Sequence, residues 1–275
     1  MSQFRLYFRY ARIHMRETFQ YRGWILGLLP TLLYTLTDPL EALLMLNRFG
    51  AIGGVTPARI ILTYAVAVLC FGLAELVARG FDYFPGIVRS GRFDRLLVRP
   101  RSLFLQVLGE YFHLNRLSRI VGAATMATIA FRVDAAARPP AWASSLPPFA
   151  AVLMLVCAVI GGTLTYVGTF SLIATPSFWT IQPMEWINIF TNGSYQVAKV
   201  PYVHLPAWLR RMFVYVMPMF VFCFFPLAAA LNWRFPGLML PSAIGWLALP
   251  VGAAYCVLGM TVWRWGARHY RSTGN

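Results

Sequence analysis

Residues 147–173 read PPFAAVLMLVCAVIGGTLTYVGTFSLI, an apolar run without a single charged side chain. Crossing the hydrocarbon of a bilayer as an α-helix takes about 20 such residues at about 1.5 Å each. The run also carries Ala158, Gly161, Gly162, Thr165 and Gly168 at three-, four- and seven-residue spacing. Small residues in that pattern let helices approach closely in lipid. They predict a packing seam, within the subunit or across a dimer.

Working outward, five more stretches have the length and polarity of membrane spans: 23–46, 57–78, 118–133, 212–231 and 241–263. The stretch 118–133 is the weakest, because Arg116 and Arg119 push its start inward. Of the 275 residues, 59% are hydrophobic and 12% charged, and the mean hydropathy is +0.60. A soluble domain carries about 25% charged residues, so lipid must be the solvent for most of this chain. Aromatic residues make up 16% of it and gather at the edges of the apolar runs, as rings at headgroup level do. The expectation is an all-α membrane protein of six transmembrane helices.

The net charge of +15 is spread over short stretches beside the apolar runs. That distribution fits inner-leaflet lipid and the positive-inside rule rather than nucleic acid. With both termini in the cytoplasm, inner segments hold 19 of the 24 basic residues, Lys199, Arg210 and Arg211 among them, and outer ones keep Arg48, Arg59, Arg132, Arg138 and Arg234. Residues 1–22 form the first unit: Arg5, Arg9, Arg12 and Arg16 recur at helical spacing between Phe4, Phe8, Met15 and Phe19. This is the pattern of an amphipathic helix lying in the interface, without the small-residue cleavage site of a removable signal peptide. Residues 23–275 form the membrane domain. Two longer inner connections, 79–117 and 175–211, offer surface to cytoplasmic partners. The outer connections, including 134–146, are short turns.

Several chemistries are excluded. The only lysine, Lys199, stands in QVAKVP, so no phosphate-cradling Gly-x-x-x-x-Gly-Lys loop exists, and the chain is not its own P-loop ATPase. His14, His113, His204 and His269 lack metal-ligand spacing. Cys70, Cys157, Cys223 and Cys256 lie in apolar runs as packing residues. No nucleophile elbow is present, so no catalytic residue, metal or bound cofactor is expected. Acids near the membrane are costly unless paired or wetted. Asp38 and Glu41 share a face near the outer end of the first span, as an interface pair or a cation-attracting exit vestibule. Glu75 stands four residues before Arg79, the favourable order for a helical ion pair, with substrate recognition as its other reading.

After the second span comes FPGIVRSGRFDRLLVRPRS, residues 84–102. Arg89, Arg92, Arg95 and Arg99 fall on one broad side of a short helix, leaving Phe93, Leu96 and Leu97 to bury on the other, and Pro100 stops it.

The pattern Ile87, Gly91, Phe93, Asp94, Leu96, Leu97, Arg99, Pro100 resembles the signature of bacterial type-2 ABC permeases of the viologen-exporter-like subgroup. The closing Trp263, Gly266, Tyr270, Ser272 and Gly274 are similar to that subgroup's tail, and Gly53-Gly54, Pro218 and Pro226 match its layout. The resemblance implies a permease in the bacterial inner membrane, paired with a second permease, identical or homologous, and with two ATPase subunits that hold ATP and Mg. It also implies that the loop after the second span is a coupling helix, in which Gly91, Phe93, Asp94, Leu96, Leu97 and Arg99 contact the ATPase. The expected function is export of a lipophilic or amphipathic compound, flat organic cations included, as in multidrug efflux. Against this stands a membrane enzyme acting on a lipid or isoprenoid, which needs polar groups clustered at one depth. A secondary transporter working alone needs mid-bilayer ionisable residues and an internal repeat.

Overall fold

Proline in the first turn of a helix removes an N–H that has no partner there, and Pro57 and Pro148 open two of the longest helices of the computed structural model. The structure describes residues 23–49, 55–111, 116–137, 146–180, 189–235 and 240–270, with Arg12, Arg16 and Gln20; at 24, 25, 38–43 and 45–49 it describes the backbone alone. The chain runs through α1 (Trp24–Phe49), α2 (Pro57–Asp82), α3 (Phe84–Arg89), α4 (Arg92–Leu97), α5 (Leu103–Gly109), α6 (Leu117–Ala137) and α7 (Pro148–Ala174). It continues through α8 (Asn192–Val197), α9 (Ala207–Arg211), a π-helical turn Met212–Val216, α10 (Met219–Cys223), α11 (Phe225–Ala230) and α12 (Ala248–Arg268). No strand occurs among the described residues. Arg12 and Arg16 are helical and exposed; the rest of the expected interfacial stripe lies outside the described residues, as do Gly53, Gly54, Ser272 and Gly274.

Pro57–Arg89, Leu117–Ala137, Pro148–Phe178 and Ser242–Arg268 are each long and apolar enough to cross a membrane. Threonine hydroxyls along them, such as Thr63, Thr165 and Thr169, bond the carbonyl one turn back, which satisfies them where water is missing. The expected first span is helical throughout, and among the described residues its apolar stretch is Leu26–Thr37.

Glycines set the arrangement. A Cβ on Gly252 would lie 2.1 Å from the Gly161 carbonyl oxygen, one on Gly259 would lie 2.5 Å from that of Gly168, and Gly266 meets Thr175 and Phe178. Successive heptads of α7 and α12 therefore meet in step, and the two helices run parallel at near backbone contact. Gly162 faces elsewhere, toward Cys70 of α2 and Phe222 of α10. Gly72 of α2 meets Arg119 and Ile120 while Arg59 meets Asp134, so α2 and α6 are antiparallel. The ends of α2, α7 and α12 converge on one side, where α3 and α4 also lie.

Three expectations change. The third helix continues past 133, so that Asp134 is part of α6 rather than a loop, because Arg59 neutralises it inside the protein. The fifth span is not one helix: at Pro218, with Met217 extended (φ −125°, ψ 98°), the chain bends by 77° between Ala207–Val216 and Met219–Ala230. Proline lacks the N–H a continuing helix needs and disfavours helical geometry just before it. Finally, residues 189–205 do not lie at the α3–α4 end. Tyr195 packs on Phe71 and Tyr64, and Ala198 to Tyr202 line the surroundings of Arg59 at the opposite end of α2. Lys199, expected on the inner side, stands over the Tyr64 ring. α7 ends at the hairpin side and α12 begins at the other, and Met219–Ala230 leads toward that other side, where Trp233 meets Asp134.

Changing Gly252 to Val is expected to destabilise the fold by about 1–3 kcal/mol through overpacking. Thermal unfolding in detergent checks this, with Ala254→Val on the exposed face of α12 as the unchanged control.

Candidate functional site

Gly91, at φ 64°, adopts the left-handed conformation that glycine takes without a Cβ penalty. It breaks the expected single amphipathic helix into α3 and α4, a helical hairpin that folds back under the end of α2. Arg89 and Arg95 are exposed, as are Arg99 and Pro100 just beyond α4. Arg92 instead turns to Tyr111, donating to its hydroxyl and lying 5.6 Å from the ring, with Glu110 at 3.9 Å.

The apolar side divides unexpectedly. Phe93 is 0% and Leu96 3% exposed, both buried in this chain's own core, whereas Leu97 is 42% and Val98 85% exposed. Phe93 stands edge-on to Tyr270 at 4.9 Å, Phe84 at 5.3 Å and Phe178 at 5.5 Å. Trp263 completes the cluster, 5.5 Å from Phe84 and Phe178 and 5.8 Å from Phe104. Edge-to-face rings at these separations attract beyond their area burial. The hairpin is thereby fastened to the ends of α7 and α12, and the two separated motifs of the sequence meet at Phe93, Trp263 and Tyr270. Burial first, then the Asp94 carboxylate, pushes the Tyr270 phenol above its usual pKa. Buried Gln106 of α5 donates to the Leu96 and Arg101 carbonyls, closing the hairpin from below.

Glu75, 2% exposed, lies just behind the hairpin. It pairs with Arg79 as its spacing predicts, but Arg119 of α6 also donates to it, and Arg116 approaches to 3.6 Å. Arg119 spreads over Phe71 at 5.1 Å, and Arg79 also holds Asp82 at 2.8 Å. Toward the other end of α2, Arg59 donates to Asp134 at 3.1 Å, and the Trp233 indole donates to the second carboxylate oxygen at 3.2 Å. Two buried charge clamps thus join α2 to α6, about 24 Å apart at 1.5 Å per residue. Asp38 and Glu41 lie in α1 at positions whose side chains are outside the described residues, and among the described residues no group of acids, histidines and cysteines could hold a metal.

Sequence reasoning missed Arg116 and Arg119 as partners of Glu75, the whole Arg59–Asp134–Trp233 clamp, and Phe84, Phe104 and Phe178 in the aromatic cluster. It also missed the second half of the glycine seam, although the heptad spacing of Gly252, Gly259 and Gly266 was a readable signal.

Long apolar helices, an antiparallel pair of them clamped by buried charges, define a polytopic membrane protein with a basic hairpin fastened at one end. Over residues 32–274 the chain matches the ABC-2 family transporter proteins. It belongs to that family and is a membrane component of an ABC transporter. No curated protein and no solved structure matches it.

Breaking a buried pair leaves a bare charge, at a cost of about 3–5 kcal/mol. Arg59→Met alone is therefore expected to lower stability by roughly that amount, and Arg59→Met with Asp134→Asn to recover most of it, as read from thermal unfolding of the detergent-solubilised protein.

Proposed function

We propose that this chain is the permease subunit of an ATP-driven exporter and that the α3–α4 hairpin is its coupling element. The observation that carries the reading is the division of the hairpin's faces. Phe93 and Leu96 anchor it to the permease, while Arg89, Arg95, Leu97, Val98, Arg99 and Pro100 project from the end where α2, α7 and α12 finish. An exposed apolar tip rimmed by arginines is suited to a groove on another protein, with the apolar residues as the buried anchor. Gly91 shapes the turn, and Phe93 holds the tail through Tyr270. Phe93 thus acts as a fastening inside the subunit rather than as a contact with the partner.

In this reading the hairpin end is cytoplasmic, α1 adds a sixth crossing, and residues 1–22 lie on the inner leaflet of a bacterial inner membrane. Lys199, Arg210 and Arg211 leave the inner count, yet the arginines of 79–119 and of the two termini still outweigh the outer ones. Two ATPase subunits hold ATP and Mg, and two permeases, identical or homologous, surround the path. The resemblance to viologen exporters at Gly91, Phe93, Asp94 and Leu96 favours that subgroup and outward movement of a lipophilic or amphipathic compound. Glu75 is engaged by three arginines and serves as a structural node rather than a cargo contact.

The test is co-purification of the tagged protein from its native host. An ATPase subunit with nucleotide hydrolysis is expected to accompany the wild type. Leu97→Asp with Val98→Asp should lose both while the permease still elutes as a folded species. A wild type that carries no nucleotide-binding partner would overturn the reading and favour the lipid-acting enzyme.

A further inference from the structure

Between the two charge clamps lies a segment whose polarity does not suit its depth. The Tyr166 and Ser194 hydroxyls are 3.0 Å apart, Tyr195 packs 5.0 Å from Phe71, and Lys199 stands 5.3 Å from the Tyr64 ring. Tyr64 and Phe71 fall between Arg59 and Glu75 on α2, so α8 lies at a depth between the two clamps. Ser194, Tyr195 and Ala198 point into the bundle and are buried. Asn192 is exposed and Gln196 half-buried, four residues apart on the other face of α8, and the Asn192 side-chain oxygen accepts from the Tyr195 hydroxyl at 3.5 Å. Across from them the amide of Gln196 donates to the hydroxyl of Tyr34 on α1 at 3.5 Å, and Tyr34 is itself 49% exposed.

Two amides and a phenol turned toward lipid tails at this depth would each cost free energy. The other outward faces of the molecule behave differently: α7 presents Phe149, Val152, Leu153, Val156 and Ile160. Interrupted helices with polar faces at mid-membrane are tolerated where they line a water-filled cavity. We propose that Asn192, Gln196 and Tyr34 line the translocation path. They would receive the polar head of an amphipathic cargo rich in hydrogen-bond acceptors, while the aromatic rings beside them take its apolar part. This rests on the permease reading and adds to it the wall of the path and the chemistry of what passes.

The test is thiol accessibility in native membranes, in a background with Cys157→Ala; Cys70, Cys223 and Cys256 are buried, and the background itself is measured for reactivity. Thiolate chemistry needs water, and a charged methanethiosulfonate reagent does not enter hydrocarbon, so Asn192→Cys and Gln196→Cys should react at least about tenfold faster than lipid-facing Ile160→Cys. Rates equal to that control would overturn the proposal, by placing the face against lipid or a dry protein contact. Co-purification of the ATPase is read separately, so a failed path assignment and a failed permease reading give different results.

Discussion

Lipid tails solvate an apolar side chain as well as another helix does, so α7 and α12 are held together by how closely their backbones approach. Gly161 against Gly252 and Gly168 against Gly259 bring the carbonyls of one helix to the α-carbons of the other. Everything at the hairpin end inherits this spacing. Phe178 and Trp263 meet only because α7 and α12 run parallel and in step, and their rings make the socket in which Phe93 is seated.

The second constraint is electrostatic. A buried carboxylate in a membrane protein must be surrounded by donors, and both Glu75 and Asp134 are. Each draws an arginine across the α2–α6 boundary, one near each end of the shared length. The two clamps fix the register of an antiparallel pair whose glycine and alanine faces would otherwise slide. They also mark two depths, which is how the position of α8 can be read without a bilayer present.

Most of the spans were legible in the sequence because α2, α7 and α12 are long apolar runs, and apolar length is what the membrane selects. The end of α6 was not, since a lone Asp134 reads as a loop until its partner 75 residues away is known. The break at Pro218 was visible as a proline but not as a bend, because prolines are common in membrane helices that remain single spans. Segment 189–205 was hidden by composition: its polar residues suit an interface by count, and only the tertiary contacts of Tyr195 and Ser194 draw them inside. For the hairpin, the signature was legible but its facing was not. The sequence tells that Phe93 and Leu96 lie together on the apolar side, and cannot tell whether that side belongs to this chain or to its neighbour.

Seating Phe93 among Phe84, Phe178, Trp263 and Tyr270 has a mechanical meaning. Rings locked edge to face resist shear, so the hairpin and the ends of α7 and α12 share one stiff joint. From Trp263 in that joint, α12 extends about 22 Å to Ala248 at 1.5 Å per residue. A small rotation of that joint would become a larger displacement at the far end of the paired α7 and α12, a lever whose fulcrum is made of aromatic rings.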